Sequence, residues 1–308
     1  MVSVSIVFPV FNEEESLIPL VNRTLSAVSL ITKDFEIVFV DDGSTDKSLK
    51  VMKQLSKKYK KIKYYGLKKN MGKASALYVG FQKAEKDYVI TMDSDLQDDP
   101  GEMGKLVEKL EEGYDFVNGW KKNKHKEEFS LKRFSSRIYN NLNYLLTGID
   151  LHDFNCPFKA YKKQVAKDLF LYGDLHRYIP MQVKEMGHRY TEVVVENYPR
   201  KFGYTKYGKK RIVKGFLDLI TIKYLITYKN SPLHVFGVLG LTAGAIGMLL
   251  NLYLFFIWLT GVSIGGRPLL FLAILLTILG LQFISLGLIG EMITNNVQRD
   301  ADVLIRED

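Results

Sequence analysis

The stretch VITMDSDLQDDP, from Val89 to Pro100, turns a hydrophobic run into a cluster of acids. Its carboxylates are Asp93, Asp95, Asp98 and Asp99, although the whole chain carries a formal net charge of +9. A solvated turn with helix-capping aspartates would account for the cluster, and so would a metal site. If the apolar residues form a buried strand, the acids lie at its carboxyl end, where open parallel sheets bind their ligands.

The composition allows a sizeable folded core. The chain has 308 residues, of which 47% are hydrophobic, so one or two domains are expected. The single cysteine, Cys156, excludes an intramolecular disulfide framework and an all-cysteine zinc site, and favours a reducing compartment. The N-terminal MVSVSIVFPVFNEEE lacks the basic segment and long apolar core of a signal peptide, and predicts a strand that runs into a turn.

The C-terminal quarter contains two long apolar runs. Leu233–Leu259 and Pro268–Gly290 contain no Asp, Glu, Lys or Arg. A helix needs about 20 apolar residues to cross a bilayer core, so each run is long enough to span. A pair of buried core helices is the alternative, but buried helices rarely continue this far without a charge. The short linker TGVSIGGR between the runs predicts a transmembrane hairpin with both flanking segments on one side.

A basic stretch before the first run sets the expected orientation. Pro199–Lys214 holds seven basic residues and no acid. An excess of Lys and Arg beside a span marks the cytoplasmic side and attracts anionic lipid head groups. We therefore expect a multi-pass protein of the cell inner membrane, with the large N-terminal part and both termini in the cytosol. A nucleic-acid-binding patch is the competing interpretation, but no recognition motif accompanies the stretch.

The first part of the chain alternates strand and helix signals. Continuous apolar strands separated by helices predict a mainly parallel sheet that is covered on both faces. The predicted strands are SIVFPVF, FEIVFV, IKYYGL, DYVITM, YDFVNGW and Tyr190–Val195, and the predicted helices include Glu13–Ile31, Lys47–Tyr59, Gly72–Ala84 and Phe129–Leu146. Polar residues follow three of these strands, at Asn12-Glu13, Asp41-Asp42 and Asp93-Asp95. We expect them to meet at one edge of the sheet.

The spacing of the acids after the fourth strand favours a metal site. In a strand, residues two apart lie on the same face, so Asp93 and Asp95 can converge on one hard cation, and Gln97 adds an oxygen at the same parity. Mg²⁺ or Mn²⁺ bound in this way usually also contacts substrate phosphates. Asp98 and Asp99 precede Pro100 and a predicted helix, so one of them is expected to be its N-cap.

Six segments in order carry a resemblance to a known family: FPVFNEEESL, VFVDDGSTD, NMGKASALYVGF, YVITMDSDLQDDP, YGDLHRYIP and YPRKFGYTKYG. Together they resemble the family-2 glycosyltransferases, and more narrowly the polyprenyl-phosphate glycosyltransferases, such as dolichol-phosphate mannose synthase and the bactoprenol glucosyltransferases. The resemblance covers about the first two-thirds of the chain, and the paired apolar runs fit the bactoprenol branch. Each segment alone is a weak signal, but the ordered set is specific.

The resemblance implies an α/β fold of the GT-A type, Rossmann-like with a mainly parallel sheet, followed by the transmembrane hairpin. The expected divisions are a cytosolic catalytic domain at 1–210, an amphipathic juxtamembrane helix at 211–231, two transmembrane helices at 232–291 and a cytosolic tail at 292–308. For 211–231, a helix packed on the soluble domain stays open as the alternative.

The resemblance also implies an activity. The expected reaction is the inverting transfer of a hexose from a nucleotide sugar, UDP-glucose, to polyprenyl phosphate at the cytosolic face. The alternatives are a GDP-mannose-dependent dolichol-phosphate mannose synthase and, in a different class, a non-catalytic membrane scaffold. The expected cofactor is Mg²⁺ or Mn²⁺. The expected partners are the nucleotide sugar, the polyprenyl phosphate and the membrane, with no nucleic acid, and a homo-oligomer through Gly237, Gly240, Gly244 and Gly247.

Site residues carry over by position. Those implied to bind the nucleotide sugar are Pro9, Phe11, Glu13, Asp42, Asp93, Lys121, Arg177, Arg200 and Lys206, and those implied to bind the metal are Asp93, Asp95 and Gln97. The chain departs from the family pattern where Phe11 replaces the usual Tyr and Lys121 the usual Arg, which loses a bidentate fork. A structural ion pair is the alternative for Arg177, and solvated juxtamembrane charge is the alternative for Arg200 and Lys206.

The acceptor side of the reaction leaves more alternatives open. Arg133 and Arg137 lie one helical turn apart and would clamp the acceptor phosphate, or would be ordinary surface charges. Asp153 would act as general base beside the catalytic Asp95, or would cap a turn. A phosphate monoester has a second pKa of about 6, so the acceptor oxygen is already anionic at cytosolic pH. Positioning and charge neutralisation would then supply most of the catalysis.

Overall fold

The structure is a computed structural model, and it describes residues 2–122, 148–198 and 232–294. These residues form two compact units, the first among residues up to 198 and the second among residues from 232 onward. Predictions on other residues concern the helix Phe129–Leu146, the juxtamembrane helix at 211–231, the domain boundary at 210 and the tail after Thr294. They lie outside the described residues and stay predictions.

A seven-stranded mixed sheet organises the first unit. Its strands are β1 (Val4–Val10), β2 (Phe35–Asp41), β3 (Ile62–Gly66), β4 (Tyr88–Thr91), β5 (Phe116–Trp120), β6 (Lys159–Lys162) and β7 (Tyr190–Val194), in the spatial order β3-β2-β1-β4-β6-β5-β7. Only β6 runs against the other six. The predicted mainly parallel sheet is confirmed. The sequence did not predict β6, because this strand has four residues, two of them lysines.

Helices cover both faces of the sheet. They are α1 (Leu17–Val28), α2 (Ser48–Lys58), α3 (Lys73–Lys83), α4 (Met103–Glu111), α5 (Lys163–Asp168) and α6 (Ile179–Glu185). In α1 the buried residues include Leu17, Leu20, Val21 and Val28, whose spacing gives one apolar stripe. The neighbouring strands β1 and β2 are mostly apolar on both faces, and all seven residues of β2 are buried. Burial on both faces is what a parallel sheet between helix layers requires.

Two long helices form the second unit. They are α7 (Pro232–Leu259) and α8 (Pro268–Thr294). Leu233–Leu259 and Pro268–Met292 have mean hydropathies of 1.9 and 2.5, and only 11% of the most apolar window of each is buried. A buried core helix would have most of its side chains covered by protein. Two helices that are this apolar and this uncovered match the predicted transmembrane hairpin in length and composition.

Glycines bring the two helices into close contact. A Cβ on Gly280 would lie 2.6 Å from the backbone nitrogen of Gly244 and 2.7 Å from the carbonyl oxygen of Gly240. A Cβ on Gly247 would lie 2.6 Å from the backbone nitrogen of Thr277. Three of the four glycines predicted to contact a second copy are therefore used for packing within the chain, as small residues commonly are between membrane helices. The homo-oligomer stays a prediction, without support from these three residues.

The close approach at Gly280 predicts a position-specific effect of alanine. In Gly280→Ala the added Cβ meets backbone atoms, which cannot move aside, so we expect the hairpin to lose roughly 1–3 kcal/mol. In Gly237→Ala the nearest atom outside the helix backbone lies 3.7 Å away, an ordinary contact, and this variant is the matched control. The measurement is an SDS titration of the detergent-solubilised protein, followed by Trp258 fluorescence in a Trp120→Phe background that leaves one tryptophan. Equal midpoints for the two alanine variants would contradict the packing.

Candidate active site

The sheet topology creates an opening between β1 and β4. From β1 the chain moves outward through β2 and β3, and β4 then lies on the other side of β1. Such a switch point is where open α/β sheets bind ligands, outside the carboxyl ends of the strands. The pairing of β1 with β4 ends at Val7 and Thr91, whereas β1 continues beside β2 as far as Val10. The two strands therefore part at their carboxyl ends, and Pro9 lies at this opening.

Hydrogen bonds fix the loop after β1 to the loop after β2 and to the start of α2. The backbone nitrogen of Asn12 donates to Ser44 Oγ at 2.9 Å, and that of Glu13 donates to Ser48 Oγ at 2.8 Å. Asn12 adopts a left-handed conformation with φ 52°, which is uncommon outside glycine and often found at functional sites. Phe11 and Glu13, both predicted to bind the nucleotide, are thus held on a rigid rim at this edge.

Asp42 fixes the start of α3 to the end of β2. Its side chain accepts hydrogen bonds from the backbone nitrogens of Met71 at 2.7 Å and Gly72 at 3.0 Å. Burial raises the pKa of Asp42, although these two bonds oppose the shift. Gly43 has φ +70°, and a Cβ there would lie 2.6 Å from the backbone nitrogen of Asn70, so only glycine fits this turn. The predicted contact of Asp42 with the nucleotide stays a prediction.

The acidic loop, residues 92–99, follows β4 and holds Asp93 and Asp95 at the opening. Asp95 is 4% exposed, and its Oδ1 accepts a hydrogen bond from the backbone nitrogen of Gln97 at 3.1 Å. Between them Leu96 has φ 64°, a left-handed conformation that is costly for a leucine. The Oγ of Ser94 donates to the carbonyl oxygen of Pro9 at 3.1 Å and ties the loop to β1. The three residues predicted to bind a metal thus share one short, strained loop.

Asp93 carries a cationic partner that the sequence did not predict. The ammonium of Lys73, the first residue of α3, contacts the Asp93 carboxylate. Partial burial raises the pKa of Asp93, but the cations around it, Lys73 foremost and then Lys121, outweigh the burial and lower the pKa. Lys73 stands in the segment NMGKASALYVGF. No sequence signal distinguished it from a solvated lysine, because its partner Asp93 lies 20 positions further along the chain.

Asp98 and Asp99 have different roles. Asp99 caps the 3₁₀ turn Pro100–Glu102, where its side chain accepts from the backbone nitrogen of Gly101 at 3.0 Å, so the predicted N-cap is confirmed. Asp98 instead lies 2.6 Å from the ammonium of Lys121, with side-chain exposures of 1% and 5%. Burial raises the pKa of Asp98. The Asp98 carboxylate nevertheless raises the pKa of Lys121, although Lys121 is itself buried, so the lysine keeps its charge and the pair is ionic. Donor binding by Lys121 stays a prediction.

The acidic loop is also joined to the segment that follows β7. Asp98 and Asn197 form an isolated antiparallel bridge, and the backbone nitrogen of Tyr198 donates to the carbonyl oxygen of Gln97 at 2.8 Å. The Tyr198 hydroxyl donates to Asp99 Oδ2 at 3.2 Å. Tyr198 directly precedes the basic stretch that begins at Pro199. The residue that precedes the basic stretch is therefore held beside the acids.

A 3₁₀ turn, Leu175–Tyr178, brings His176 and Arg177 to the start of α3, against which the turn packs. Burial, Lys73 and Arg177 together lower the pKa of His176 to about 3, so its imidazole is neutral at cytosolic pH. The sequence predicted Arg177 as a site residue, and the structure brings its turn to the side of the opening that holds Lys73. Four predicted residues lie outside the described residues: Arg133, Arg137, Arg200 and Lys206.

Comparison with known proteins identifies the family. Residues 5–170 match the model of the family described as glycosyl transferase family 2. The chain is 36% identical over 301 residues to the dodecaprenyl-phosphate galacturonate synthase of Rhizobium johnstonii, covering 96% of this chain and 89% of that protein. It is 33% identical over 296 residues to the undecaprenyl-phosphate 4-deoxy-4-formamido-L-arabinose transferase of Shewanella sediminis, covering 94% and 86%.

The chain belongs to glycosyl transferase family 2. It is therefore an enzyme, a glycosyltransferase, and the predicted family is confirmed.

Solved structures confirm the GT-A fold of this family-2 glycosyltransferase. Mannosyl-3-phosphoglycerate synthase from Rubrobacter xylanophilus superimposes with a TM-score of 0.57 at 15% identity, over 72% of this chain and 74% of that one. Glucosyl-3-phosphoglycerate synthase from Mycobacterium tuberculosis, in complex with Mn²⁺, UDP and phosphoglyceric acid, gives 0.54 at 18% identity, over 70% and 78%. At these identities the likeness concerns the fold alone.

The residues at the opening of the glycosyltransferase fit a divalent cation that is shared with a donor. Two carboxylates and an amide, from Asp93, Asp95 and Gln97, are hard oxygen ligands of the kind that Mg²⁺ and Mn²⁺ take. The Lys73 ammonium already lies on Asp93, which shows that this position attracts a cation. Within residues 2–122, 148–198 and 232–294 no group of three or more His, Cys, Asp or Glu residues could hold a metal by itself. Further oxygen ligands would have to come from the donor phosphates or water.

Asp153 lies at the same edge because β6 is antiparallel. The residues before β6 meet the carboxyl ends of the other strands, so the loop that holds Asp153 faces the switch point. Its carbonyl oxygen accepts from Asn118 Nδ2 at 2.9 Å and from the backbone nitrogen of Cys156 at 3.2 Å. Its Oδ2 is buried and has no hydrogen-bond partner among the described residues. A fixed backbone and an unsatisfied carboxylate oxygen are compatible with a base, whereas the capping alternative leaves that oxygen unexplained.

A buried lysine, Lys159, supports the loop that holds Asp153 through hydrogen bonds. Lys159 is 3% exposed, and its ammonium donates to Asn118 Oδ1 and, at 3.3 Å, to the carbonyl oxygen of Phe154. The residue before Asp153, His152, stacks on Trp120, with ring centroids 3.9 Å apart. Burial lowers the pKa of Lys159 to about 8. Nothing in the sequence indicated that this lysine is buried, because its strand was not predicted.

The buried pair of Asp98 and Lys121 predicts a large loss of stability. Asp98→Asn keeps the size of the side chain but leaves the buried ammonium without its counter-charge, so we expect a loss of about 3–5 kcal/mol in the free energy of unfolding. Asp34→Asn breaks an exposed pair with Lys86, 2.5 Å apart, and should cost less than about 1 kcal/mol. Urea unfolding in detergent, followed by Trp120 fluorescence in a Trp258→Phe background, measures both. Equal losses in the two variants would contradict an ionised pair.

The lowered pKa of Lys159 predicts a pH-dependent stability. The pKa is about 8 in the folded protein against 10.5 for an ordinary lysine, so between these values the unfolded chain binds more protons. Stability should therefore rise with pH through this window, by up to about 3 kcal/mol, as the destabilising buried charge is lost. Lys159→Met should lack this rise. The urea midpoints of the unchanged protein and of Lys159→Met are measured at pH 7.5 and at pH 9.5. If the difference between the two proteins is the same at both pH values, the lowered pKa of Lys159 is contradicted.

Proposed function

We propose that this family-2 glycosyltransferase transfers a sugar from a nucleotide sugar to the phosphate of a polyprenyl phosphate at a membrane surface. The main support is that similarity to two enzymes named for dodecaprenyl- and undecaprenyl-phosphate extends over 96% and 94% of this chain. It thus includes the two uncovered apolar helices as well as the acidic loop. A chain that couples a donor site to a membrane hairpin suits an acceptor whose phosphate lies at the bilayer surface.

The sugar is the finer part of the proposal. The sequence led us to expect UDP-glucose, but the two relatives are named for galacturonate and for 4-deoxy-4-formamido-L-arabinose. We therefore place a nucleotide-linked uronic acid first, with glucose, the modified arabinose and GDP-mannose as the competing donors. Membership of an enzyme family sets aside the alternative of a non-catalytic scaffold.

The proposed chemistry is a single displacement. A phosphate oxygen of the acceptor attacks the anomeric carbon of the sugar from the face opposite the nucleotide, the bond from that carbon to the diphosphate breaks, and the nucleoside diphosphate leaves. Because the acceptor phosphate has a second pKa of about 6, its oxygen needs no proton removed at cytosolic pH. Asp153 would then orient the acceptor or donor, and it would act as a base only toward a protonated phosphate.

The proposed metal ligands are Asp93, Asp95 and Gln97. A Mg²⁺ or Mn²⁺ ion held there would supply charge neutralisation to the departing diphosphate. Asp95 is the residue on which we base the test. It is 4% exposed, and its Oδ1 already shapes the loop through the backbone nitrogen of Gln97. Asparagine at this position keeps that acceptor oxygen and removes only the charge.

The proposed location is the cytosolic face of the inner membrane, with both termini in the cytosol. The basic stretch Pro199–Lys214 supports this orientation through the positive-inside rule and through attraction to anionic lipid. Tyr198, the residue before that stretch, is bonded to the acidic loop, so we expect the basic stretch to begin close to the site. A site built in this way would work next to the lipid head groups.

The proposed function predicts metal-dependent transfer that requires the charge of Asp95. Purified protein in nanodiscs is incubated with undecaprenyl phosphate and each nucleotide sugar in turn, and both nucleoside diphosphate and lipid-linked sugar are measured. We expect EDTA to abolish both products and Asp95→Asn to lower the rate by about 100-fold or more, the scale for removing one electrostatic stabiliser. Asp34→Asn lies at the opposite edge of the sheet and should keep the full rate.

Two outcomes would overturn separate parts of the proposal. Full activity of Asp95→Asn would show that the metal is not bound at the acidic loop. Nucleoside diphosphate release that does not depend on the lipid, with no lipid-linked sugar from any donor, would show that polyprenyl phosphate is not the acceptor.

A further inference from the structure

The carboxylates of the acidic loop are all engaged in the donor-free protein. The Asp95 carboxylate accepts from the backbone nitrogen of Gln97, and Asp98 pairs with Lys121. Asp99 accepts from the backbone nitrogen of Gly101. Asp93 differs, because its partner is the ammonium at the end of the long, flexible side chain of Lys73. Both side chains are partly exposed, at 27% for Lys73 and 32% for Asp93. Of the four carboxylates, Asp93 thus has the partner that can most easily be exchanged.

The backbone around Lys73 is held in place. Asp42 accepts hydrogen bonds from the backbone nitrogens of Met71 and Gly72, the two residues before Lys73. The 3₁₀ turn that contains His176 packs on the start of α3. A fixed backbone delivers the lysine ammonium to Asp93, and only the rotamers of Lys73 have to change for the pair to separate. The arrangement is therefore a reversible contact on a rigid support.

A divalent cation that arrives alone must compete with this ammonium for Asp93. It gains one carboxylate, but it leaves a lysine without its partner beside a doubly charged ion, and like charges at such distances repel. A nucleoside diphosphate changes the balance, because its phosphates provide negative charge for both the ammonium and the metal. Metal binding and nucleotide binding should then favour each other, and by linkage the effect is reciprocal.

We propose that Lys73 is an internal counter-ion that occupies Asp93 and keeps the metal site closed until a nucleoside diphosphate binds. This rests on the assignment of Asp93 and Asp95 to the metal in the proposed function. Lys73 is a positioning residue in this role, since it acts through Asp93. Its consequence is that Mn²⁺ binds weakly to the donor-free enzyme and much more tightly once the nucleotide is present.

The test is a titration of the full chain in detergent micelles with Mn²⁺ alone, in which free Mn²⁺ is followed by its electron paramagnetic resonance signal. Without nucleotide, Lys73→Met should bind Mn²⁺ at least about fivefold more tightly than the unchanged protein. Lys73→Arg keeps the charge and should stay weak. Lys83→Met removes a lysine from the other end of α3, where its ammonium lies 5.7 Å from the ring centre of Tyr65, and should also stay weak.

A second measurement adds UDP or GDP at saturating concentration. The affinity for Mn²⁺ should rise in the unchanged protein and should rise less in Lys73→Met, whose site is already open. Asp95→Asn in the Lys73→Met background should remove the gained affinity, which locates the bound ion. Equal affinities of the unchanged protein and Lys73→Met without nucleotide would overturn the proposal, and so would an effect of nucleotide that is the same in both.

These measurements use no sugar, acceptor or turnover. A failure of sugar transfer to polyprenyl phosphate would therefore leave the counter-ion role intact. Active transfer by a protein whose Mn²⁺ affinity does not depend on Lys73 would reject the counter-ion role alone. If Lys73→Met does not fold, Lys73→Gln and the nucleotide effect in the unchanged protein decide the question.

Discussion

Six strands of the sheet run in one direction, and this constraint determines where the chemistry of the chain can lie. Parallel strands deliver every loop that follows them to the same edge, so side chains far apart in sequence meet there. The seventh strand, β6, runs the other way and brings in the loop that precedes it, with Asp153. Because β1 and β4 part at their carboxyl ends, this edge opens between them, and the acidic loop occupies the opening.

The concentration of acid in a basic protein is explained by how the cations are distributed. Two carboxylates of the loop pair with lysines, and the two pairs differ in how deeply they are buried. The buried pair of Asp98 and Lys121 is structural, because two charges at this depth are expensive to separate. The partly exposed pair of Asp93 and Lys73 can separate, because water screens the charges when they part. Depth of burial therefore divides one acidic cluster into a permanent support and an exchangeable site.

The hairpin and the catalytic domain of this family-2 glycosyltransferase follow opposite packing rules. In the domain, apolar strands are buried between helix layers, and large side chains such as Phe8 and Phe39 fill the core. In the hairpin, large apolar side chains point outward, and glycines such as Gly240 and Gly280 form the contact. Water drives the first arrangement by expelling apolar surface, whereas lipid gives no such drive and leaves close backbone packing as the stabilising interaction. The uncovered surface of the hairpin is what a bilayer would cover.

The sequence alone determined the fold class, the two long apolar helices, the family and the loop that carries the proposed metal ligands. These are local or periodic features: apolar strands between helices, runs without charge, and acids at a fixed spacing after a strand. It also predicted that one of Asp98 and Asp99 caps the following helix, because a cap depends only on neighbours in the chain. These properties can be predicted because the residues that produce them are close in sequence.

The tertiary structure decided which groups pair with one another. The contacts of Lys73 with Asp93, Lys121 with Asp98 and Lys159 with Asn118 join residues that are 20 or more positions apart. Nothing in the chain marks such a lysine as different from a solvated one, and β6, which places Lys159, was too short to predict. Whether a charge is buried, paired or exchangeable depends on the neighbours that other strands bring to it, and therefore only the folded sheet could assign these roles.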